Sequence, residues 1–397
     1  MTRTLAARPL AVVLAVLLSV SGAGLAFAKS TARWHSVFTR TNVELGGVSC
    51  TSVKSCFAVG DADATSMDSV WRLSGGKWRG VDVKPYGVSG TGFEGFAHVV
   101  NPSAISCVAS GCMVVGINDT ADTPTANWWN GHSWKNVSPP TSSAPGAPDG
   151  LFDVSCRSSR ACIAVGDGEV SGTTVGVSDA WNGKRWSVSR LPVPASNATY
   201  TGVVGISCLT ASNCWAVGYY QIPGDDDIPF AEHWNGKRWT VGKLPRPTFS
   251  AQALEESQLR RISCSSAHNC TAVGSIGDDN SAEPGEPLVE NWNGKRWAIE
   301  LHTTPKGSAG AALYDVSCNR KECIAVGATV YDKPGGKPYG GGSGLIARIE
   351  GSKLIVQKVT ARSNSYPGFW SVTCPRSCFA VGYGYIDPTY TSFIYSS

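Results

Sequence analysis

The chain has 397 residues and a formal net charge of +4, from 34 Lys plus Arg against 30 Asp plus Glu, so no electrostatic bias toward nucleic acid is built in. Only 16% of residues are charged and 42% are hydrophobic, with 45 Gly and 22 Pro, which excludes a disordered or coiled-coil chain and suits a turn-rich β domain. Fourteen Cys, an even number, point to an oxidising compartment.

The chain opens with Arg3 and Arg8, an apolar run from Leu10 to Val20, and small residues ending in Ala26, Phe27 and Ala28. That order is the secretory pattern, with cleavage expected after Ala28. Ser19, Ser21 and Gly22 interrupt the run before it reaches the roughly 20 apolar residues that a membrane span needs. Residues 1–28 are therefore expected to be a signal peptide, and 29–397 one exported, extracellular domain.

Seven copies of one unit follow: VSCTSVKSCFAVG (48–60), ISCVASGCMVVG (105–116), VSCRSSRACIAVG (154–166), ISCLTASNCWAVG (206–218), ISCSSAHNCTAVG (262–274), VSCNRKECIAVG (316–327) and VTCPRSCFAVG (372–382). Successive first Cys lie 57, 49, 52, 56, 54 and 56 residues apart, near the period of kelch-type blades. A second element follows most copies: WRLSGGKWRGV (71–81), WWNGHSWKNV (128–137), AWNGKRWSV (180–188), HWNGKRWTV (233–241), NWNGKRWAI (291–299) and the diverged ARIEGSKLIV (347–356). Asn-Gly between β-prone runs signals a two-residue hairpin turn. Each unit thus supplies two hairpins, or four strands, which is the blade of a β-propeller.

The two Cys of each unit bracket a short hairpin turn, with a gap too variable for a metal site and no regularly placed His. The expected pairs are Cys50 with Cys56, Cys107 with Cys112, Cys156 with Cys162, Cys208 with Cys214, Cys264 with Cys270, Cys318 with Cys323, and Cys374 with Cys378. ARWHSV (32–37) reads as a fourth strand with no first three before it, while the last unit stops at SFIYSS (392–397), short of its fourth strand. The expected fold is all-β: a seven-bladed propeller of four-stranded blades, closed by the N-terminal strand, with one disulfide per blade. Closure in this way removes an exposed sheet edge. A two-residue turn at Asn235 and Gly236 would set Trp234 opposite Lys237 and make Trp234 and Trp239 diagonal neighbours. Their equivalents Trp181, Trp186, Trp292 and Trp297 become Ile349 and Leu354 in unit six, which suits packing between blades.

These repeats resemble the Cys-rich, WNGxxW-repeat propeller proteins exported by actinobacteria, and more distantly kelch-like and Asp-box propellers. The resemblance covers about residues 32–397 and implies the fold; it carries little about activity, because propellers host binding modules, hydrolases and lyases alike. The Ser-x-Asp-x-Gly-x-Thr-Trp string of the Asp box is absent, so sialidase-like chemistry is not implied.

With the first strand of each unit lining a channel, the Cys turns and Asn-Gly turns share one face, and the variable connections share the other. The variable face holds the candidate ligand-binding residues Asp61, Asp63, Tyr219, Tyr220, Asp225, Asp226, Asp227, Asp278, Asp279, Tyr331 and Tyr383. Such carboxylates and Tyr rings could hold sugars by stacking and hydrogen bonding, or calcium through hard oxygen ligands. Asp61 and Asp63 begin like a calcium loop, but Ser66 stands where Gly is needed and Arg72 where a bidentate Glu is needed, so calcium has no motif behind it and no cofactor is assigned. Lys184 and Arg185, Lys237 and Arg238, and Lys295 and Arg296 form a basic rim on the opposite face.

No Gly-x-Ser-x-Gly, His-Glu-x-x-His or phosphate-cradling loop occurs, and the six His are scattered, so no catalytic residue is assigned. The expectation is a secreted, lectin-like monomer binding a polysaccharide or cell-envelope glycan, with no nucleic acid and no membrane span. The alternatives are a glycoside hydrolase or polysaccharide lyase using loop carboxylates, Tyr or His98, and a protein-interaction scaffold of a secreted assembly.

Overall fold

The computed structural model describes residues 33–62, 70–81, 101–118, 123–139, 146–247, 257–277, 285–301, 304–330, 342–357, 359, 368–386 and 389–397. They form an all-β propeller. The first strands of the seven repeats are Val43–Ser52, Asn101–Val108, Pro148–Ser158, Tyr200–Thr210, Ser257–Ser266, Gly310–Cys318 and Gly368–Thr373. Each touches the next around a ring, and the last touches the first.

Hydrogen bonding divides the strands into five four-stranded sheets and one eight-stranded sheet. This corrects the expected seven separate four-stranded blades. Repeats 3 and 4 belong to one sheet, because a parallel bridge pairs Thr174, on the third strand of repeat 3, with Tyr200, on the first strand of repeat 4. The N-terminal strand His35–Thr41 pairs with the final strand Thr389–Ser396, so the two chain ends share one sheet.

The two Cys of each repeat face each other across the first hairpin, and all fourteen are joined in seven disulfides with Cα–Cα distances of 3.9–4.0 Å. The eight-stranded sheet carries two of them. A loop this short constrains the unfolded chain by about 2 kcal/mol per bridge in the chain-entropy account.

The core lies between sheets rather than within one. The second strand of each repeat is buried on both faces, which explains its unbroken apolar reading. In repeat 1, Ala58 packs with Val381 and Ile394 of repeat 7, while Val59 packs with Ile105 and Val114 of repeat 2. Polar bonds follow the same seams. The Ser of each V/I-S-C motif accepts a hydrogen bond from the backbone N–H of the next repeat's first Cys: Ser49 from Cys107, Ser106 from Cys156, Ser155 from Cys208, Ser207 from Cys264, Ser263 from Cys318 and Ser317 from Cys374, all at 2.9–3.0 Å.

The Asn-Gly turns differ from expectation. Trp234 sits directly opposite Trp239, and Trp129, Trp181 and Trp292 likewise face Trp134, Trp186 and Trp297. The loop between them has four residues because the Asn side chain closes it: Asn235 Oδ1 accepts from the N–H groups of Lys237 and Arg238, each at 3.0 Å. Only Gly236 takes a left-handed φ there, at 88°. The two-residue turn occurs instead in repeat 1, where Gly75 and Gly76 both have positive φ, at 60° and 74°.

Candidate functional site

A β-bulge builds the site, and it occurs at the same place in all seven first strands. The register slips by one residue between Leu45 and Gly47, Pro102 and Ala104, Leu151 and Asp153, Val203 and Gly205, Leu259 and Arg261, Leu313 and Asp315, and Phe369 and Ser371. The final Gly of the A-V-G motif is what admits the bulge. A Cβ on Gly60, Gly166, Gly218, Gly274, Gly327 or Gly382 would lie 1.8–2.1 Å from a backbone oxygen of the first strand. Bulges bend a strand and re-aim side chains, and are common beside functional sites.

The extra residue in each bulge, four before the first Cys, faces the channel. Gly46, Ser103, Phe152, Val204, Arg260, Tyr314 and Trp370 all line one cavity of about 390 Å³, together with Glu44, Tyr219, Gln258, Arg261 and Tyr383. The cavity walls differ by sector. From repeats 5 to 7, the Arg260 guanidinium lies 5.6 Å from the Tyr314 ring centre, Tyr314 stacks on Trp370 at 4.4 Å and 6°, and Trp370 stacks on Tyr383 at 5.5 Å and 16°. In repeat 4, Tyr200 stacks on Tyr219 at 5.5 Å. Repeats 1 and 2 contribute only the small Gly46 and Ser103 from their bulges, with Glu44 and Gly60 beside them.

One residue beyond the bulge, Arg261 crosses the channel. Its guanidinium donates to the carbonyl oxygens of Val204, of Arg260 at 3.0 Å and of Phe152 at 3.4 Å. Asp153 and Asp315 share its charge. Burial raises both carboxyls, Asp315 to about 6, and Arg261 opposes the rise in each. These two side chains also stitch repeats: Asp153 Oδ2 accepts from Ile206 N at 2.8 Å, and Asp315 Oδ2 from Ser371 Oγ at 2.9 Å and Val372 N at 2.8 Å. Arg261 is therefore a floor held by internal charges, whereas Arg260 belongs to the wall.

The tyrosines are held protonated and are already hydrogen-bonded within the wall, Tyr200 with Tyr219 and Tyr383 with Glu44. Burial raises the Tyr200, Tyr219 and Tyr383 hydroxyls above the ordinary phenol value, with Glu44 adding to the rise at Tyr383. Among the described residues, no group of three or more His, Cys, Asp or Glu could hold a metal ion.

Of the residues expected to bind ligand, Tyr219 and Tyr383 line the cavity. Tyr220 turns into the sheet-to-sheet core, its ring edge-on to Phe230 at 6.0 Å. Asp227 is buried and clamped by carboxamides: Gln221 donates at 2.8 Å and Gln258 donates to its other oxygen. Asp61, Asp225 and Asp226 lie in strands, but their side chains fall outside the described residues, as do Asp63, Asp278, Asp279 and Tyr331. Sequence reasoning missed Arg260, Tyr314 and Trp370, although a signal existed: the two positions before V/I-S-C change from repeat to repeat inside an otherwise constant motif. It also missed Glu232 and Glu290, fully buried on third strands and raised by burial to about 9 and about 8.

No family model matches the chain, and no curated protein sequence does. Solved structures do. Ycf48 from Cyanidioschyzon merolae is 15% identical, with a TM-score of 0.52, over 91% of this chain and 99% of that one. Ycf48 bound to D1 peptide is 12% identical, with a TM-score of 0.51, over 91% and 97%. A PL25 ulvan lyase bound to a GlcA-Rha3S saccharide is 9% identical, with a TM-score of 0.59, over 91% and 95%. At these identities the likeness establishes the propeller fold and nothing finer.

Proposed function

We propose that the protein is an exported binding module that holds a polysaccharide or cell-envelope glycan at the channel mouth. The carrying observation is the convergence of seven bulge residues on one cavity walled by stacked aromatic rings and protonated tyrosines. Sugar rings present C–H faces that pack on aromatic surface and hydroxyls that pair with fixed donors and acceptors, and this cavity offers both. Raised phenol values suit donors rather than bases, which favours binding over proton abstraction. The related folds hold a saccharide in one case and a peptide in another, so the argument rests on the cavity's chemistry. Export is supported by the leader pattern and the seven disulfides.

The test is retention of the mature, oxidised protein on a polysaccharide panel, scoring released reducing and unsaturated ends in the same tubes. Retention without products, weakened at least about tenfold by Trp370→Ala and about fivefold by Tyr219→Phe, is expected from loss of ring area and one hydrogen bond. Product release would make the protein an enzyme, and no retention on any glycan would overturn the reading in favour of a protein partner.

A further inference from the structure

Away from the channel mouth, at the hairpin-tip end of repeats 1 and 2, Arg72 lines a second pocket. It has a volume of about 270 Å³ and is lined by Thr51, Ser55, Ser110, Asn130 and Arg72 with Phe57 and Trp129 behind them. The Arg72 guanidinium is held between two rings, 5.5 Å from the Phe57 centre and 5.4 Å from the Trp129 centre. Its Nε has no hydrogen-bond partner, and no carboxylate of the described residues pairs with it. Two aromatic faces thus fix a cation that the fold itself leaves without a counter-charge.

Arg348 shows that this is not a general property of the scaffold. It occupies the equivalent place in repeat 6, opposite Ile324 as Arg72 is opposite Phe57. There Glu350, two residues on, neutralises it at 2.7 Å. In repeat 1 the residue two positions on is Ser74.

The surrounding face has the same sign. Lys54 and Lys77 stand exposed at the tips beside the pocket, and the exposed pairs Lys184–Arg185, Lys237–Arg238 and Lys295–Arg296 continue the charge along repeats 3 to 5. The Asn side chain of each of those three turns holds the backbone N–H groups of its pair, so the pairs are presented by ordered loops. The described acidic side chains at these tips are Glu322 and the ion-paired Glu350, both on repeat 6. Among the described residues, cations thus outnumber carboxylates at these hairpin tips, in a chain whose net charge is only +4.

We infer that this face binds a linear polymer carrying phosphate or sulfate esters, one ester seated on Arg72 and the remainder running over the basic tips. The Ser55 and Ser110 hydroxyls and the Asn130 amide nitrogen line the pocket with Arg72, and such donors suit a tetrahedral oxyanion, which accepts in several directions, better than a planar carboxylate. Exposed Lys and Arg supply the salt-dependent, length-dependent part of the affinity.

The experiment measures affinity of the mature protein for poly(glycerol phosphate), dextran sulfate and polygalacturonate at rising salt. The expected result is binding to an ester polymer that falls steeply with salt. Arg72→Gln should weaken it about tenfold, Arg72→Lys less, and Arg348→Gln not at all. Replacing Lys237 and Arg238 by Gln should shallow the salt dependence with a smaller loss. Preference between the first two polymers identifies the ester. Equal binding to polygalacturonate, binding indifferent to Arg72, or no binding at low salt would each overturn the inference. Glycan retention at the channel mouth and the melting temperature of Arg72→Gln serve as folding controls; if that variant is misfolded, the Arg72→Lys and Arg348→Gln comparison decides.

Discussion

The two ends of each first strand are built to opposite rules. At the disulfide end the repeats are nearly interchangeable: the same Cys pair in all seven, the same Ser bond to the next repeat in six, and a turn closed by Asn in repeats 2 to 5. At the bulge end the backbone is equally uniform, but the side chain it presents runs from Gly46 to Trp370. Constant backbone with variable side chain is how a repeat protein builds one asymmetric pocket from near-identical parts. The recessed mouth offers stacked rings and tyrosine hydroxyls with one charge of each sign in its wall, Arg260 over Tyr314 and Glu44 beside Tyr383, and with Arg261 facing Asp153 and Asp315, whereas the hairpin-tip face offers exposed charge of one sign. Recognition at the mouth should therefore be specific and tolerant of salt, and recognition at the tips sensitive to it.

The comparison breaks most severely where the bulge itself is removed. Gly274→Ala would set a Cβ 1.8 Å from the Gln258 carbonyl oxygen. The strand must shift, and a loss of about 3 kcal/mol or more is expected in urea denaturation, with glycan retention lost as well. Replacing Cys156 and Cys162 together by Ala acts at the other end, and should cost about 2 kcal/mol while leaving the mouth intact. Ser207→Ala leaves the Cys264 N–H without its acceptor at a seam, so about 1 to 2 kcal/mol is expected, again without loss of binding.

A smaller effect is read by titration. Glu232 and Glu290 have folded values of about 9 and about 8, against an ordinary 4.5. The folded state therefore keeps protons that the unfolded chain has released. Their contribution to stability is fully present below the ordinary carboxylate value and is lost as pH rises toward 8 or 9, by at most roughly 1.4 kcal/mol per pH unit for each group. Urea midpoints measured across that range should decline in the native protein and flatten in the Glu232→Gln, Glu290→Gln double variant.

The repeat, the hairpins, the Cys pairing and the shared face of the two turn types were legible because each rests on local sequence at fixed spacing. The joining of repeats 3 and 4 into one sheet was not, since it turns on a single bridge between Thr174 and Tyr200. The opposition of Trp234 and Trp239 was misjudged because Asn235 can close a turn with its side chain as well as its backbone. Tyr219 and Tyr383 were named as aromatic residues at the variable end, and both line the cavity. Trp370, Tyr314 and Arg260 were hidden because strict alternation along a strand assigns the residues on either side of a bulge to opposite faces, and only the slipped register brings neighbours such as Arg260 and Arg261 into one channel.

The most direct test of the central claim is the affinity of native protein and Trp370→Ala for a retained polysaccharide, measured at low and high salt. The account predicts a salt-insensitive affinity in the native protein that Trp370→Ala weakens by at least about tenfold and Arg72→Gln leaves unchanged. An affinity untouched by Trp370→Ala, or one removed by salt, would place recognition away from the channel mouth and contradict it.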